Sequence, residues 1–129
     1  KLYNEKYKSE DYFGAYFLGF SILEDRINVL WIVALWYKKD KYLYDENKPN
    51  YWDISKCGLQ TKVDDLTMWG YFSEVEKKRL KAVLKDRNTK YHSTLWHMEN
   101  FTKPLCDLIM DCNRLVDKKR KKQKRELGE

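Results

Sequence analysis

A chain of 129 residues holds one domain and has room for a single core. Hydrophobic residues at 43% beside charged residues at 36% exclude a disordered chain, and the longest charge-free apolar run, Ile27 to Tyr37, is too short to cross a bilayer. The net charge of +6 suits a polyanionic partner, yet Lys118, Lys119, Arg120, Lys121, Lys122, Lys124 and Arg125 supply the excess and leave the rest of the chain nearly neutral.

Aromatic residues reach 16%, with 10 Tyr and 5 Trp, so the core or a binding surface is built from rings that carry a polar tip. Such rings serve packing first, and base stacking is the sharper alternative. Cys57, Cys106 and Cys112 are too few and too irregularly spaced for a disulfide framework. Reduced thiols and a cytoplasmic setting are therefore expected, with no membrane partner. No segment reads as a secretory leader, and a chain opening at Lys1 is open to being a fragment.

The first predicted helix runs from an N-cap at Ser9 to about Lys39, with Glu10 and Asp11 in its electropositive first turn. Tyr16, Phe20, Leu23, Ile27, Leu30 and Ala34 alternate steps of three and four, the spacing of a buried stripe. Phe13, Phe17, Ile22, Val29, Val33 and Trp36 widen the apolar surface, as expected of a helix facing two layers, one of them a second protomer. Gly14, Ala15 and Gly19 give room for a close backbone approach. Ser21, Glu24, Asp25, Arg26 and Asn28 interrupt this surface. They read either as a solvated face or as inward polar groups of a site, with Glu24 or Asp25 in a supporting role.

Asp40 to Gly58 reads as an irregular aromatic insert carrying a Lys48-Pro49-Asn50 turn. A short helix from about Leu59 to Trp69 follows. Ser73-Glu74-Val75-Glu76 fits a capping box. The helix it opens turns Val75, Leu80, Val83 and Leu84 inward and reaches Asp86 or a few residues further. The last helix starts between Trp96 and Thr102, with Pro104 in its first turn and Leu105, Leu108, Ile109, Cys112, Leu115 and Val116 as its apolar face. The basic stretch 118–125 is expected as a frayed, solvated end or tail, or as an RNA-contacting or localising one. No strand-like alternation occurs. The fold class is all-α: a bundle of about four helices with the aromatic insert between them, in one domain spanning 1–129.

Arg87-Asn88-Thr89-Lys90-Tyr91-His92 carries the chemistry. A guanidinium stays cationic and forks onto a phosphate, and an imidazole exchanges a proton near neutral pH. Together they suffice to cleave RNA without a metal. No metal and no cofactor is expected, since His97, Cys106 and Cys112 fit no zinc-ligand spacing. The plainer reading gives Arg87 to the helix C-terminus as a neutralising charge and His92 to the following turn.

The arginine, the polar Asn88 beside it and the histidine resemble the R-x(4–6)-H signature of the HEPN ribonuclease superfamily. An amphipathic helix before the motif and a final helix after it match the family's helical frame loosely, and the long aromatic insert departs from it. The resemblance implies a metal-independent endoribonuclease in which a ribose 2′-hydroxyl attacks the adjacent phosphorus, leaving a 2′,3′-cyclic phosphate. His92 would be the general acid or base, Arg87 would stabilise the phosphate charge, and Asn88 would orient either group. Lys90 and Tyr91 would bind substrate. The resemblance further implies a homodimer whose two motifs meet, a toxin–antitoxin or antiviral-defence setting, and a possible antitoxin or regulatory protein as partner. The alternatives are a non-catalytic HEPN-like helical protein-interaction module and a simple basic RNA-binding bundle.

Overall fold

The computed structural model describes residues 2–39, 58–93 and 102–128, with the backbone alone for 36–39 and 86–93. Among them are five α-helices and no strand: α1 (Leu2–Lys8), α2 (Tyr12–Lys39), α3 (Leu59–Met68), α4 (Glu74–Ser93) and α5 (Lys103–Leu127). The all-α bundle expected from the sequence is the observed architecture. The aromatic insert lies, apart from Gly58, outside the described residues, as do Trp96 and His97.

α2 is the central element and packs against α1, α3 and α5, while α4 lies over α3 and α5. All six residues of its predicted stripe are buried, with Tyr16, Leu23, Ile27 and Leu30 fully so. Each large apolar side chain removed from water in this way contributes roughly 1.5–3 kcal/mol, which makes α2 the mast of the fold. Its second apolar set divides. Val33 is buried and Phe13 and Phe17 pack on each other at the core's edge, but Ile22 and Val29 stay 38% and 45% exposed.

α2 begins at Tyr12, not at Ser9, because an unforeseen short helix precedes it. α1 ends in a Schellman closure: Glu10 takes a φ of 62°, its N–H donates to Tyr7 O, and Asp11 N–H donates to Lys6 O. Ser9 serves α1, donating its hydroxyl to Lys6 O. Asp11 is the real cap of α2, accepting from Gly14 N–H at 2.9 Å, and this bond, with Lys6 beside it, holds the Asp11 carboxyl below its usual range. Two tyrosines dock α1 on α5. Tyr3 donates to Cys106 O and Tyr7 to Asp107 Oδ1.

The close approach allowed by Gly19 is intramolecular. A Cβ there would lie 2.6 Å from Ile109 Cγ2 and 2.9 Å from the Tyr3 ring, so the glycine seats α5 and α1 against α2. Gly14 leaves space for the Asp11 carboxylate, and Ala15 is in the core.

α3 closes on Gly70, whose φ of 87° suits a residue without Cβ; Gly70 N–H donates to Thr67 O and Tyr71 N–H to Leu66 O. The capping box opens α4 as the sequence predicts: Ser73 N–H donates to Glu76 Oε1 and Glu76 N–H to Ser73 Oγ. Leu80, Val83 and Leu84 turn inward, whereas Val75, expected with them, is exposed. On α5, Leu108 likewise faces outward at the edge of the apolar face, and the polar Asn113 takes an inner position by donating to Gly19 O and Ile109 O.

The stretch 118–125 is neither frayed nor a tail. It continues α5 to Leu127, where Gly128 caps it at a φ of 72°. The anchor is Gln123, fully buried, which donates to Leu30 O and to Tyr71 Oη and accepts from Arg120. A residue polar enough to look solvated in the sequence is thus the last core position of the helix.

Candidate active site

The sequence places the site on α4, and the helix path positions it. The capping box fixes the start, the buried Leu80, Val83 and Leu84 hold the middle, and the helix then continues through Ser93. Arg87, Asn88, Lys90, Tyr91 and His92 therefore all belong to the last two turns of α4, with His92 next to the final helical residue. Their side chains lie outside the described residues. Five helical steps carry a backbone position about 140° further round the axis, so Arg87 and His92 occupy different sides of α4.

The two acids expected from the sequence to support the site, Glu24 and Asp25, belong to α2. Glu24 is half-buried, and Asp25 is exposed at the edge of a groove lined by Arg26, Val29, Asp117, Arg120 and Lys124. That groove runs between α2 and the basic half of α5, and its volume is about 260 Å³. Asn28, the third polar residue of that turn, accepts from Lys62 Nζ at 2.7 Å. Lys62 is itself buried on α3, with its ammonium 5.0 Å from the Trp31 ring centre, and Trp31 donates to Asp65 Oδ2. This knot ties α2 to α3 and was not foreseen from the sequence.

Ion pairs set the neighbourhood of α4. Asp64 of α3 accepts from Lys81 at 2.8 Å with Lys77 close by, and the Lys81 hydrogen bond holds its carboxyl below the usual range. At the other end of α4, partial burial would raise the Glu76 carboxyl. The Ser73 N–H and the Lys119 ammonium at 3.2 Å outweigh it and lower it. Glu76 at the start of α4 meets Lys119, and Arg79, one turn further on, acts on the earlier Cys112 of α5, so the two helices run in opposite senses. The end of α4 that carries Arg87 and His92 thus faces away from the basic end of α5.

Cys106 and Cys112 are buried, and burial pushes both thiols up to about 11, which leaves them poor nucleophiles at neutral pH. Cys106 is further occupied by donating to Tyr12 O. Among the described residues no group of three His, Cys, Asp or Glu side chains could hold a metal ion. None of the helices they form is long and apolar enough to cross a membrane.

No protein-family model, curated protein or solved structure matches this chain. The functional reading therefore stands on the chain's own residues.

Proposed function

We propose that this protein is a metal-independent endoribonuclease of the HEPN type, acting on RNA through Arg87 and His92. The observation that carries the reading is the placement of that pair on the last two turns of a helix whose first three turns are locked into an all-α core. A rigid base suits a site that must hold a phosphate and move a proton. His92 acts as general base on the ribose 2′-hydroxyl or as general acid on the leaving 5′-oxygen. Arg87 neutralises the charge that builds on the non-bridging oxygens. Asn88 orients the phosphate or imidazole, and Lys90 and Tyr91 bind the strand.

The angular divergence of Arg87 and His92 along one helix favours a composite site. The arginine of one copy meets the histidine of another across a two-fold axis, which also supplies an acid and a base to one cleft. Exposed Ile22 and Val29 on α2 give such a dimer an apolar contact.

The test is cleavage of single-stranded RNA in EDTA with detection of the cyclic phosphate. Arg87→Ala and His92→Ala are each expected to lose cleavage by at least about a hundredfold, as removal of a general acid–base group does, while keeping the native circular dichroism. Mixing the two inactive variants is expected to restore part of the activity, because a mixed dimer rebuilds one intact cleft. Cleavage that survives both substitutions sinks the assignment. The same exposed α2 residues favour a second reading, a non-catalytic helical interaction module, which predicts no cleavage by the wild-type chain.

A further inference from the structure

We propose that the outer face of the C-terminal half of α5 is a binding track for the phosphate backbone of single-stranded RNA, separate from the cleavage residues. The inference deepens the ribonuclease reading by naming where the substrate is held.

Lys118, Lys121, Lys122 and Arg125 follow one another at steps of three, one and three, which sets them on one side of a regular helix. All four are exposed, with the Lys121 and Lys122 side chains 70% and 65% open to solvent. The opposite side of the same turns is buried through Val116 and Gln123, so the orientation of the stripe is fixed by the core. From Asp117 to Glu126 the helix holds seven cations against two carboxylates, which is five of the six net positive charges of the whole chain. A rigid row of cations on a nearly neutral body is what sequence-independent attraction to a polyanion requires.

The stripe is already lightly countered. Lys121 pairs with Asp117 at 3.1 Å and Lys122 with Glu126 at 3.8 Å, all exposed except the half-buried Asp117. Exposed pairs of this kind hold weakly and give way to a better anion. A phosphate diester can therefore take the ammonium groups without stripping the helix of structure. A lipid surface fits less well. A helix lying on a bilayer presents an apolar face to it, and here the apolar face of α5 is spent on α2.

Geometry then fixes what the track can do for catalysis. Lys119 on α5 touches Glu76, and Arg87 lies eleven residues further along α4, about 16 Å away at 1.5 Å per residue. A strand running from the track to Arg87 must cover at least that distance, about five nucleotides or more at 3.4 Å each. The track thus acts on substrate affinity for longer strands and leaves the chemical step alone.

Binding is measured by fluorescence anisotropy of the full chain with a 2′-O-methyl oligouridylate of about twelve nucleotides, from roughly 50 to 200 mM salt. The blocked 2′-hydroxyl prevents cleavage, so the assay does not depend on the ribonuclease reading. The variant K118Q/K121Q/K122Q is expected to lower the salt slope by about 2 and to weaken binding ten- to hundredfold near 0.1 M salt, at roughly 0.7 of slope per phosphate contact. K8Q/K78Q/K103Q removes the same charge from exposed positions elsewhere and is expected to change affinity less than about threefold. On cleavable RNA the stripe variant is expected to raise KM for long strands at unchanged kcat and to leave a trinucleotide unaffected.

Equal losses in the two triple variants overturn the track, as does wild-type binding without a salt slope. So does binding to phosphatidylserine vesicles under conditions where the oligonucleotide is ignored. If the triple variant melts early, K118Q and R125Q carry the same test singly, each with an expected slope change of about 0.7. Stripe-dependent binding with no cleavage of any RNA removes the ribonuclease reading and leaves this one standing; cleavage indifferent to the stripe does the reverse.

Discussion

Replacing Gln123 by Ala tests whether the core holds the basic half of α5 in place. Three hydrogen bonds end on this side chain: Nε2 to Leu30 O at 3.1 Å, Nε2 to Tyr71 Oη at 3.2 Å, and Arg120 Nη1 to Oε1 at 2.6 Å. The charged one contributes about 1.5–3 kcal/mol and each neutral one about 1 kcal/mol. Two losses are softened. Leu30 O remains in the α2 ladder, and Arg120 has a further interaction. The expected cost is therefore about 2–4 kcal/mol, including the small void left at a fully buried site. At this chain length about 1 kcal/mol corresponds to some 4 °C, so Tm should fall by roughly 8–15 °C. The assay is thermal circular dichroism together with amide hydrogen exchange. Exchange is expected to quicken most over 118–127, because that segment loses its only buried side chain. Gln123→Met keeps the volume, gives up the hydrogen bonds, and should recover only part of the loss. A Tm drop under about 3 °C, with exchange at 118–127 unchanged, would refute the docking of this helix end.

Acid should weaken the fold through Asp11, Asp64 and Glu76, whose carboxyls are all held below ordinary values of 3.8, 3.8 and 4.5. A depressed folded pKa means that the unfolded chain binds protons first as pH falls. The stabilisation is complete above the ordinary values and is lost as pH drops through the depressed ones. Asp11→Asn still accepts from Gly14 N–H but no longer titrates, so urea midpoints measured from pH 5 downward, roughly the window that linkage sets, should fall less steeply in the variant; an unchanged acid limb would contradict the assignment. Gly19→Ala should destabilise by about 1–2 kcal/mol in urea titration, since contacts of 2.6 and 2.9 Å to Ile109 and Tyr3 put overpacking at the upper end, about 2–3 kcal/mol, against about 1 kcal/mol of gained helix propensity. A neutral or stabilising result would mean that α5 can withdraw from α2 without cost.

What was legible in the sequence is what periodicity and local hydrogen bonding encode. The stripe from Tyr16 to Ala34 and the Ser73–Glu76 box both follow from rules that act within one helix, and both are present. What escaped depends on partners distant in sequence. α1 has too few apolar residues to announce itself, and it is held by Tyr3 and Tyr7 reaching residues about a hundred positions away. Ser9 looked like the cap of α2 because Asp11, the true cap, stands only two residues later. Gln123 was readable in one respect: Ile109, Val116 and Gln123 are seven apart, so it continues the buried line by two more turns. Polarity outweighed spacing in that reading, and the structure reverses the order. Of the proposed site, the backbone placement of the Arg87–His92 segment is seen, and Asp25 is placed at a groove beside α5.

Glu76 links the two functional proposals physically. One carboxylate accepts the Ser73 N–H that starts α4 and the Lys119 ammonium that belongs to the basic half of α5. The spacing between the cationic track and the Arg87–His92 segment is therefore set by an uninterrupted helix from a fixed origin, without a loop in between. A loop would let the two slide relative to each other and blur any length dependence. A helix locked at its first turn and packed at Leu80, Val83 and Leu84 fixes Arg87 about 16 Å beyond Glu76, so the minimum strand length for the track's effect should be sharp. That sharpness distinguishes the track from diffuse attraction by net charge, which would grow smoothly with every added nucleotide.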